Sequence, residues 1–402
     1  MNTIGRNIRT YYSPDLSIMA VVFVDDVTGM GGVEAANNTI YNCGLMEERK
    51  KMTFNNQNGK TEYMIIGKKN EEVRTICEQV KKGMVNRVKQ HKVLGSWFDE
   101  TGDYGINIKK KKENLNFMIS TVKNQASQHN IGKYAIDGRL KLAEAVVLQS
   151  ILYNIEAFQV IKQKEIKELE SLQHTILCGI LELPKTTPYC AMLMEVGWWT
   201  VKARISYRRL MLYHNIIRSD ERRTIKKIIE EQKKEVREST WLASVKKDLE
   251  KYDLESVVVE EVLKSTWKKE VKKKINEKEE KELREKCVNS TKSRFVAEDK
   301  YEKKQYLTGL VDHSMARKIL KMRLNMSRVP GNFKNERREK CGLCEEETGS
   351  TEHYFECHQI SLLRKVWGAK VEDIRSQEIP NMKMAANFIE KVEELEKPAS
   401  FT

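Results

Sequence analysis

A cysteine–histidine cluster near the C-terminus constrains this chain more than any other feature of its sequence. The cluster reads Cys341-x2-Cys344-x8-His353-x3-Cys357, which is the ligand spacing of a tetrahedral zinc site. Gly342 lets the first two thiols flank a tight turn, and His353 and Cys357 are four residues apart, so they share one face of a helix. Four protein ligands leave no coordination position for water, so the spacing predicts a structural Zn2+ site rather than a catalytic one.

Two alternatives to this ligand set remain open from the sequence. His358 lies close by and competes with His353 for the fourth position. The other alternative is a set of reduced cysteines beside a surface histidine, although clustered cysteines in a chain without an export signal favour metal over disulfides. Arg337 and Arg338 abut the cluster and suit contacts to phosphate.

The apolar pattern predicts an α+β N-terminal segment followed by a mostly α-helical region. Residues 18–24 form a short β-branched run typical of a strand. Residues 35–46 have apolar side chains at helical spacing. Further strands are expected at residues 61–67, 85–88 and 92–98, the last two as a hairpin. This segment therefore combines β-hairpins with a helix and pairs its strands mostly locally.

Beyond about residue 107 the sequence favours helices, because only 6 prolines and 20 glycines interrupt its 402 residues. Broad apolar stripes predict helices at residues 136–158, 165–183 and Val201–Ile217, the last with its arginines facing outward. Residues 221–286 mix Lys and Glu with sparse apolar positions, which predicts long solvated helices with thin cores. Within that stretch, residues 257–267 keep helical spacing.

The charge balance favours a polyanionic partner. The chain has 72 Lys and Arg residues against 58 Asp and Glu, a formal net charge of +14, and basic side chains release the counterions condensed on nucleic-acid phosphates. Lysine-rich helix surfaces explain the same excess without a partner. No apolar run is long enough to span a membrane, and residues 1–10 lack the apolar core of a secretory signal. The expected location is therefore the nucleus or cytoplasm, away from membranes.

Two adjacent acidic residues, Asp25 and Asp26, interrupt an apolar, strand-like run that contains Phe23 and Val24. Neighbouring carboxylates repel each other, and both lose hydration when they are partly buried. Mg2+ removes both costs, because hard divalent cations prefer carboxylate oxygens, and nucleotidyl transfer uses two such ions. An exposed hairpin turn is the competing interpretation, since acidic residues suit turns in any case.

Three motifs follow one another in the first hundred residues: Asp25-Asp26, then Lys60, then Leu94-Gly95. Their order resembles that of reverse transcriptases from non-LTR, LINE-like retrotransposons. In that family an aromatic-x-Asp-Asp hairpin is followed by a helix, a Lys-Thr strand and a Leu-Gly hairpin called the primer grip. The resemblance implies that Asp25, and less strictly Asp26, are catalytic Mg2+ ligands. It also implies that Lys60 lies near the phosphates of the incoming nucleotide and that Leu94 and Gly95 hold the primer end.

The helical middle of the chain also resembles the thumb region of that family, at residues 153–158, 181–189 and 195–197. A thumb packs basic helix faces against the template–primer duplex, so the resemblance implies phosphate contacts here. The candidates are Lys109, Lys110, Lys111, Lys112, Lys202, Arg204, Arg208 and Arg209. Solvated helix surface is the alternative role for such residues. A basic helix at residues 316–323 precedes the cysteine cluster, as it does in the family.

The acidic residues before Asp25 are too few for a complete polymerase site. A two-metal site needs carboxylates from two strands, and the family places the other aspartate, a Gly-rich segment and the fingers before the Asp-Asp hairpin. Here Asp15 is the single acidic residue before Asp25, and no convincing strand precedes it. We therefore expect a chain truncated at its N-terminus that does not polymerise DNA alone.

The resemblance divides the chain into four parts. These are a partial palm with a primer-grip-like hairpin at 1–105, a helical thumb-like domain at 106–220, a Lys/Glu-rich connector at 221–335, and a CCHC zinc module with C-terminal helices at 336–402. It implies RNA and DNA as template–primer partners, with deoxynucleotides as substrates only in an intact relative. Whether the chain itself is an enzyme stays open. The alternatives are a non-catalytic, zinc-stapled nucleic-acid-binding protein and a helical protein–protein scaffold.

Overall fold

The structure is a computed structural model, and its chain divides into two compact units. The first unit comprises Met1–Lys110, Phe158–Ile161 and Asp220–Thr240, and the second comprises Lys111–Ala157, Lys162–Ser219 and Trp241–Thr402. The residues that the structure describes are 20–23, 26–29, 33–50, 62–66, 75, 86–102, 104–128, 135–158, 161–234, 240–290, 292–332 and 340–396. The four-part functional division stays a prediction.

Helices form most of the described chain, as the scarcity of proline and glycine predicts. The α-helices are α1 (Val33–Lys50), α2 (Gly105–Glu113), α3 (Leu115–Gln128), α4 (Ala135–Leu142), α5 (Gln149–Ile151), α6 (Gln163–Leu181), α7 (Tyr189–Val196), α8 (Val201–Ile217), α9 (Thr224–Lys234), α10 (Trp241–Lys251), α11 (Lys264–Val288), α12 (His313–Arg323), α13 (Thr351–Tyr354), α14 (Ser361–Trp367) and α15 (Ile379–Leu395). A π-helical stretch lies at Ala143–Leu148, and 3-10 turns lie at Ile155–Ala157, Arg294–Val296, Gln305–Thr308, Pro330–Asn332, His358–Ile360 and Val371–Ile374. The strands are β1 (Ala20–Phe23), β2 (Asp26–Gly29), β3 (Glu62–Tyr63), β4 (Asn86–Arg87), β5 (Gln90–Val93) and β6 (Ser96–Asp99). Because these strands are short, the α+β description of the N-terminal segment holds only loosely.

The described strands of the first unit pair as three separate two-stranded sheets. β1 and β2 form an antiparallel hairpin in which Phe23 lies opposite Asp26. β5 and β6 form a second antiparallel hairpin, with Val93 opposite Ser96. β3 and β4 pair in parallel, which the expectation of mostly local pairing did not include.

The predicted hairpin between residues 85–88 and 92–98 is wrong, because residues 92–98 contain a hairpin turn of their own and are not one strand. β4 pairs with β3, and β5 is the partner of β6. The turn explains the difference, because Leu94 and Gly95 have φ angles of 45° and 85°. Two successive left-handed residues make a two-residue hairpin turn, which joins the strands immediately on either side of it. Glycine tolerates this conformation without strain, whereas Leu94 adopts it at some cost.

The β5–β6 hairpin is fixed to the start of α2 by a buried asparagine. Asn107 accepts a hydrogen bond from Trp97 N at 2.9 Å and donates to Trp97 O at 2.6 Å. On the same strand, Phe98 stacks on Phe158 at 5.6 Å, and Tyr104 meets that ring edge-on at 4.7 Å. Aromatic pairs at these separations add to the stability that burial gives. The hairpin is therefore held by one amide and three rings.

The core of the second unit forms around α11, whose buried residues recur every four positions. Trp267, Val271 and Ile275 are inaccessible to solvent, and the Trp267 indole donates to Leu210 O of α8 at 3.2 Å. Each fully buried aliphatic or aromatic side chain contributes about 1.5–3 kcal/mol. The prediction of thin cores for residues 221–286 therefore underestimates this helix.

Residues 257–262 were expected to be helical, and the structure corrects this to a series of turns. The carbonyl of Val262 accepts hydrogen bonds from His214 Nε2 at 2.9 Å and from Arg218 Nη1 at 2.7 Å. Because side chains of α8 use this carbonyl, it is not available to a helical backbone partner. Valine spacing alone did not reveal this tertiary contact.

The single helix predicted at residues 136–158 is divided in the structure. α4 passes through the π-helical stretch into the short α5, and Asn154 then has a φ angle of 61°. The carbonyl of Leu152 accepts from Ile155 N at 3.4 Å and from Arg208 Nη1 at 2.9 Å. An apolar stripe does not distinguish an α-helix from a π-helical bulge, since both keep one face buried.

Part of the predicted basic helix before the cysteine cluster lies in the core. α12 forms as expected, but Arg323 is only 1% exposed. Its guanidinium donates to Glu195 Oε1 at 2.8 Å, to Ile374 O at 2.7 Å and to a carboxylate oxygen of Asp299. Tyr306 completes the network by donating to Glu195. Arg323 therefore joins four segments of the second unit and is not presented to solvent.

Candidate metal centre

The cysteine cluster begins on a short loop that its own backbone closes. Cys341 N donates to Glu347 O at 2.7 Å, and Lys340 forms an isolated antiparallel bridge with Thr348. Ser350 then caps α13 by accepting from His353 N at 3.2 Å. This sequence of turn, bridge and capped helix directs both ends of the motif toward one point.

The four predicted ligands come together. Cys341, Cys344, His353 and Cys357 have ligand atoms that all lie within 4.8 Å of one another. The Sγ atoms of Cys341 and Cys357 are 3.9 Å apart, and Cys344 Sγ is 3.4 Å from His353 Nε2. A tetrahedron with Zn–S bonds of about 2.3 Å has edges of about 3.8 Å. The donor types and their separations therefore fit a Zn2+ ion.

The structure also decides between the two candidate histidines. His353 is nearly buried, and Glu347 Oε2 lies 3.0 Å from its Nδ1. A carboxylate on one ring nitrogen fixes the tautomer and aims the other nitrogen at the metal. The His358 side chain is 59% exposed and lies outside the cluster. His353, rather than His358, therefore belongs to the group that could hold a metal ion.

The thiols of the cluster have unequal acidities. Backbone N–H groups of Glu347 and Glu346 lower the pKa of Cys344 to about 6, whereas burial raises the pKa of Cys357 to about 11. Zinc binds thiolates, so binding at neutral pH releases a proton from a buried thiol such as Cys357.

Glu396 supports the cluster, and sequence reasoning missed it. Its Oε1 accepts from Gly342 N at 3.0 Å and from the hydroxyl of Tyr354, and it lies 3.9 Å from Cys341 Sγ. The carboxylate comes directly after α15, more than fifty residues from the first cysteine pair. No local spacing marks a partner at that distance.

The residues proposed for polymerase chemistry are described only in part. Asp26 begins β2, opposite the last residue of β1. Leu94 and Gly95 form the tip of the β5–β6 hairpin, where Leu94 is 44% exposed. Asp25, Lys60, Arg337 and Arg338 lie outside the described residues.

The arginines of α8, predicted to face outward, are instead paired within the second unit. Arg209 is buried, and its Nη1 lies 2.6 Å from Asp248 Oδ2. Arg204 pairs with Glu144 at 2.7 Å, and Arg208 pairs with Glu156 at 3.3 Å. The outward orientation is therefore a wrong prediction, because carboxylates from other elements neutralise these guanidinium groups where they lie.

The four consecutive lysines of α2 have different surroundings. Lys109 and Lys112 are exposed. Lys110 lies over the Trp97 ring at 5.5 Å, whereas Lys111 donates to Ile151 O at 3.2 Å. Burial, with the nearby charge of Arg208, lowers the pKa of Lys111 to about 8. Lys109 and Lys112 are thus the better placed of the four for phosphate.

Comparison with known proteins adds no relative to these observations. No family model, no curated protein and no solved structure matches the chain. Within the part of the chain that the structure describes, no helix has the length and apolar character needed to cross a bilayer.

Proposed function

We propose that this chain is part of the RNA-directed DNA polymerase of a non-LTR retrotransposon and that it holds template–primer nucleic acid. The observation that carries the proposal is the succession of two hairpins. β1–β2 brings the residues flanking Val24-Asp25 into register, so the aromatic Phe23 faces Asp26 across the pair. β5–β6 follows with Leu94 and Gly95 at its tip. This is the order of catalytic hairpin and primer grip that the sequence motifs resemble.

The first hairpin suits a divalent cation. Asp25 and Asp26 are adjacent in sequence, and carboxylate oxygens are the ligands that Mg2+ prefers. In two-metal nucleotidyl transfer the ions activate the primer hydroxyl and neutralise the leaving phosphates. The role of this chain is then to contribute two of the carboxylates and to position the primer end.

The same proposal includes inactivity of the 402-residue chain on its own. A two-metal site needs a carboxylate from a second strand in addition to Asp25 and Asp26, and the motifs quoted for the resemblance do not supply one. Purified chain incubated with an RNA template, a DNA primer, Mg2+ and deoxynucleotides is expected to give no extended product. Extension that Asp25→Ala abolishes would overturn this part of the proposal.

The second hairpin is suited to touch a primer. Its tip residue Leu94 exposes an apolar side chain at a left-handed turn, while Asn107 and the aromatic cluster hold the strands behind it. A rigid support with an exposed tip positions a ligand with little loss of conformational entropy. Leu94→Ala is therefore expected to weaken contact with the primer end without unfolding the hairpin.

Photo-crosslinking of the primer end tests the proposal. A DNA primer with a 3′-terminal 4-thiothymidine, annealed to RNA, is irradiated with the chain, and the crosslinked peptides are mapped. The expected result is crosslinking within Gln90–Asp99, reduced in Leu94→Ala. The same photoreactive base at the 5′ end is the control. Crosslinks confined to the cysteine cluster, or equal from both ends, would exclude a primer grip.

The second candidate function is a non-catalytic nucleic-acid-binding protein stapled by zinc. The closed Cys341, Cys344, His353 and Cys357 set favours it, because that site does not depend on polymerase ancestry. Under this alternative the chain binds RNA or DNA equally well from either end, and Asp25 and Asp26 have no role in metal binding.

A further inference from the structure

The helix α11 distributes its charge unevenly. Residues 264–274 contain six lysines and one glutamate, a net charge of +5, whereas residues 275–288 contain four basic and five acidic residues. A solvated Lys/Glu helix alternates its charges along its length, as the second half of α11 does. The first half departs from that pattern.

The basic half lies at the end of the helix that disfavours cations. α11 begins at Lys264, and its first turn contains no acidic residue. The amino end of a helix carries a partial positive charge, which attracts anions and repels lysines. Lysines concentrated there have an electrostatic cost that a bound anion removes.

Four of these lysines form a continuous exposed surface, which we call the lysine face. Its members are Lys268, Lys269, Lys272 and Lys273, all exposed, while Trp267 and Val271 between them are buried. Side chains four positions apart are neighbours on a helix, so the lysines form two adjacent rows with a rise of about 6 Å between members. The two rows lie on the exposed side of α11, away from the buried Trp267 and Val271.

The carboxylates that form ion pairs at α11 do not neutralise the lysine face. The ion pairs at α11 lie in its second half, where Glu282 is 3.6 Å from Lys251 and Glu280 is 2.8 Å from Arg284. Among the described residues, no carboxylate forms an ion pair with the lysine face. Glu270, the one acidic residue in this half, is half-buried.

Lys202, at the start of α8, lies outside this surface. Thr200 N donates to Glu279 Oε2 at 2.7 Å, and the Trp199 indole donates to Asn276 Oδ1 at 2.6 Å. The start of α8 therefore lies against the second half of α11. Lys202 is exposed, and like Lys286 it lies near the Glu170 carboxylate.

We propose that the lysine face binds the sugar–phosphate backbone of nucleic acid. The inference rests on the proposed nucleic-acid function and names the surface that performs it. The arginines of α8 are already neutralised by Glu144, Glu156 and Asp248, so phosphate contacts require other cations. Rows of unpaired lysines match the closely spaced charges of a nucleic-acid backbone.

Salt-dependent binding of a lysine-face variant tests this inference. Lys268, Lys269, Lys272 and Lys273 are all changed to Gln, and fluorescence anisotropy measures binding of a labelled RNA–DNA hybrid between about 50 and 200 mM salt. We expect Kd near 100 mM salt to rise at least about tenfold. The slope of log K against log salt should fall by about 3, since each lost phosphate contact contributes about 0.9.

A matched control separates this surface from net charge. Lys278, Lys281, Lys286 and Lys300 are also exposed, and their change to Gln removes the same charge. We expect their Kd to stay within about threefold of wild type. Circular dichroism melting verifies that both variants remain folded. Equal losses in the two variants, or no loss in the lysine-face variant, would overturn the inference.

Primer-end crosslinking distinguishes this inference from the proposed function. If the lysine-face variant binds normally while primer ends still crosslink to the β5–β6 hairpin, the lysine face is excluded and the polymerase role is retained. If the variant loses affinity while wild type gives no primer-end crosslink, the lysine face is supported and the polymerase role is excluded.

Discussion

The cysteine cluster and the polymerase site proposed at Asp25 and Asp26 differ in how far apart along the chain their parts lie. All four candidate zinc ligands fall within residues 341–357, and their ligand atoms lie within 4.8 Å of one another. The proposed polymerase site needs a carboxylate from another strand in addition to the two at the hairpin. A site with local parts is specified by spacing, whereas a site with distant parts depends on contacts that spacing does not encode.

Removing a zinc ligand is expected to have the largest effect. His353→Ala should abolish binding of about one zinc per chain and unfold the loop and α13, because structural zinc contributes about 10–16 kcal/mol to folding in zinc-finger peptides. Elemental analysis measures the metal, and limited proteolysis measures the protection of residues 340–357.

The neighbouring histidine gives the matched control for this change. His358→Ala removes an exposed ring outside the cluster, so zinc content and protease protection should match wild type. Loss of zinc in His358→Ala, with zinc retained in His353→Ala, would mean that the ligand set is wrong and would weaken the claim that local spacing specifies it.

The second largest effect on stability is expected at Arg323, whose partner Glu195 lies 128 residues away in the sequence. Arg323→Met removes the guanidinium that pairs with buried Glu195 and Asp299. Lys304 still pairs with Asp299 at 3.4 Å, so the loss is carried mainly by Glu195. Removing one partner of a buried pair typically costs about 3–5 kcal/mol. Urea unfolding followed by circular dichroism should show this loss. Lys318→Met on the same helix breaks a half-exposed pair with Glu390 and should cost less than about 1 kcal/mol. Equal effects would contradict a structural role for the buried network.

Sequence reasoning succeeded where the determining residues are close together. It predicted the Cys and His residues that come together in a possible metal site and the bounds of α8, because both follow from spacing within one segment. It failed for the directions of Arg209 and Arg323, whose carboxylate partners lie 39 and 128 residues away. The exposure of an arginine depends on which distant acid reaches it, and no local pattern records that.

The pH dependence of stability tests whether Lys111 is buried in the fold. The sequence alone suggested this residue as a phosphate contact. Burial, followed by the charge of Arg208, lowers the pKa of Lys111 from 10.5 to about 8. The folded state therefore disfavours the charged form, and this destabilisation is complete below about pH 8. As pH rises from about 8 toward 10.5, the folded state loses the proton first, so stability should increase.

Urea unfolding between pH 7 and pH 10 measures this increase. Lys111→Met should flatten the rise, whereas Lys112→Met should keep it, since Lys112 is exposed. The burial of Lys111 would be contradicted if the free energy of unfolding of the wild-type chain falls over this range and changes equally in both variants.

The smallest expected effect on stability is at the acidic hairpin. Asp25→Asn with Asp26→Asn should change the free energy of unfolding by no more than about 0.5 kcal/mol, because adjacent carboxylates repel each other and the role proposed for them is metal binding. Thermal unfolding without divalent cations measures this. A loss of several kcal/mol in the free energy of unfolding would show that the two carboxylates stabilise the fold. The contrast drawn between this region and the cysteine cluster would then be wrong.

Iron-directed cleavage tests the central claim most directly. Zinc-loaded chain with bound template–primer is incubated with Fe2+ in place of Mg2+, and ascorbate with peroxide generates hydroxyl radicals at the bound ion. The account predicts backbone cleavage next to the β1–β2 hairpin that disappears in the Asp25→Asn, Asp26→Asn double variant and is unchanged in His358→Ala. Cleavage that is absent from this hairpin, or that persists in the double variant, would contradict it.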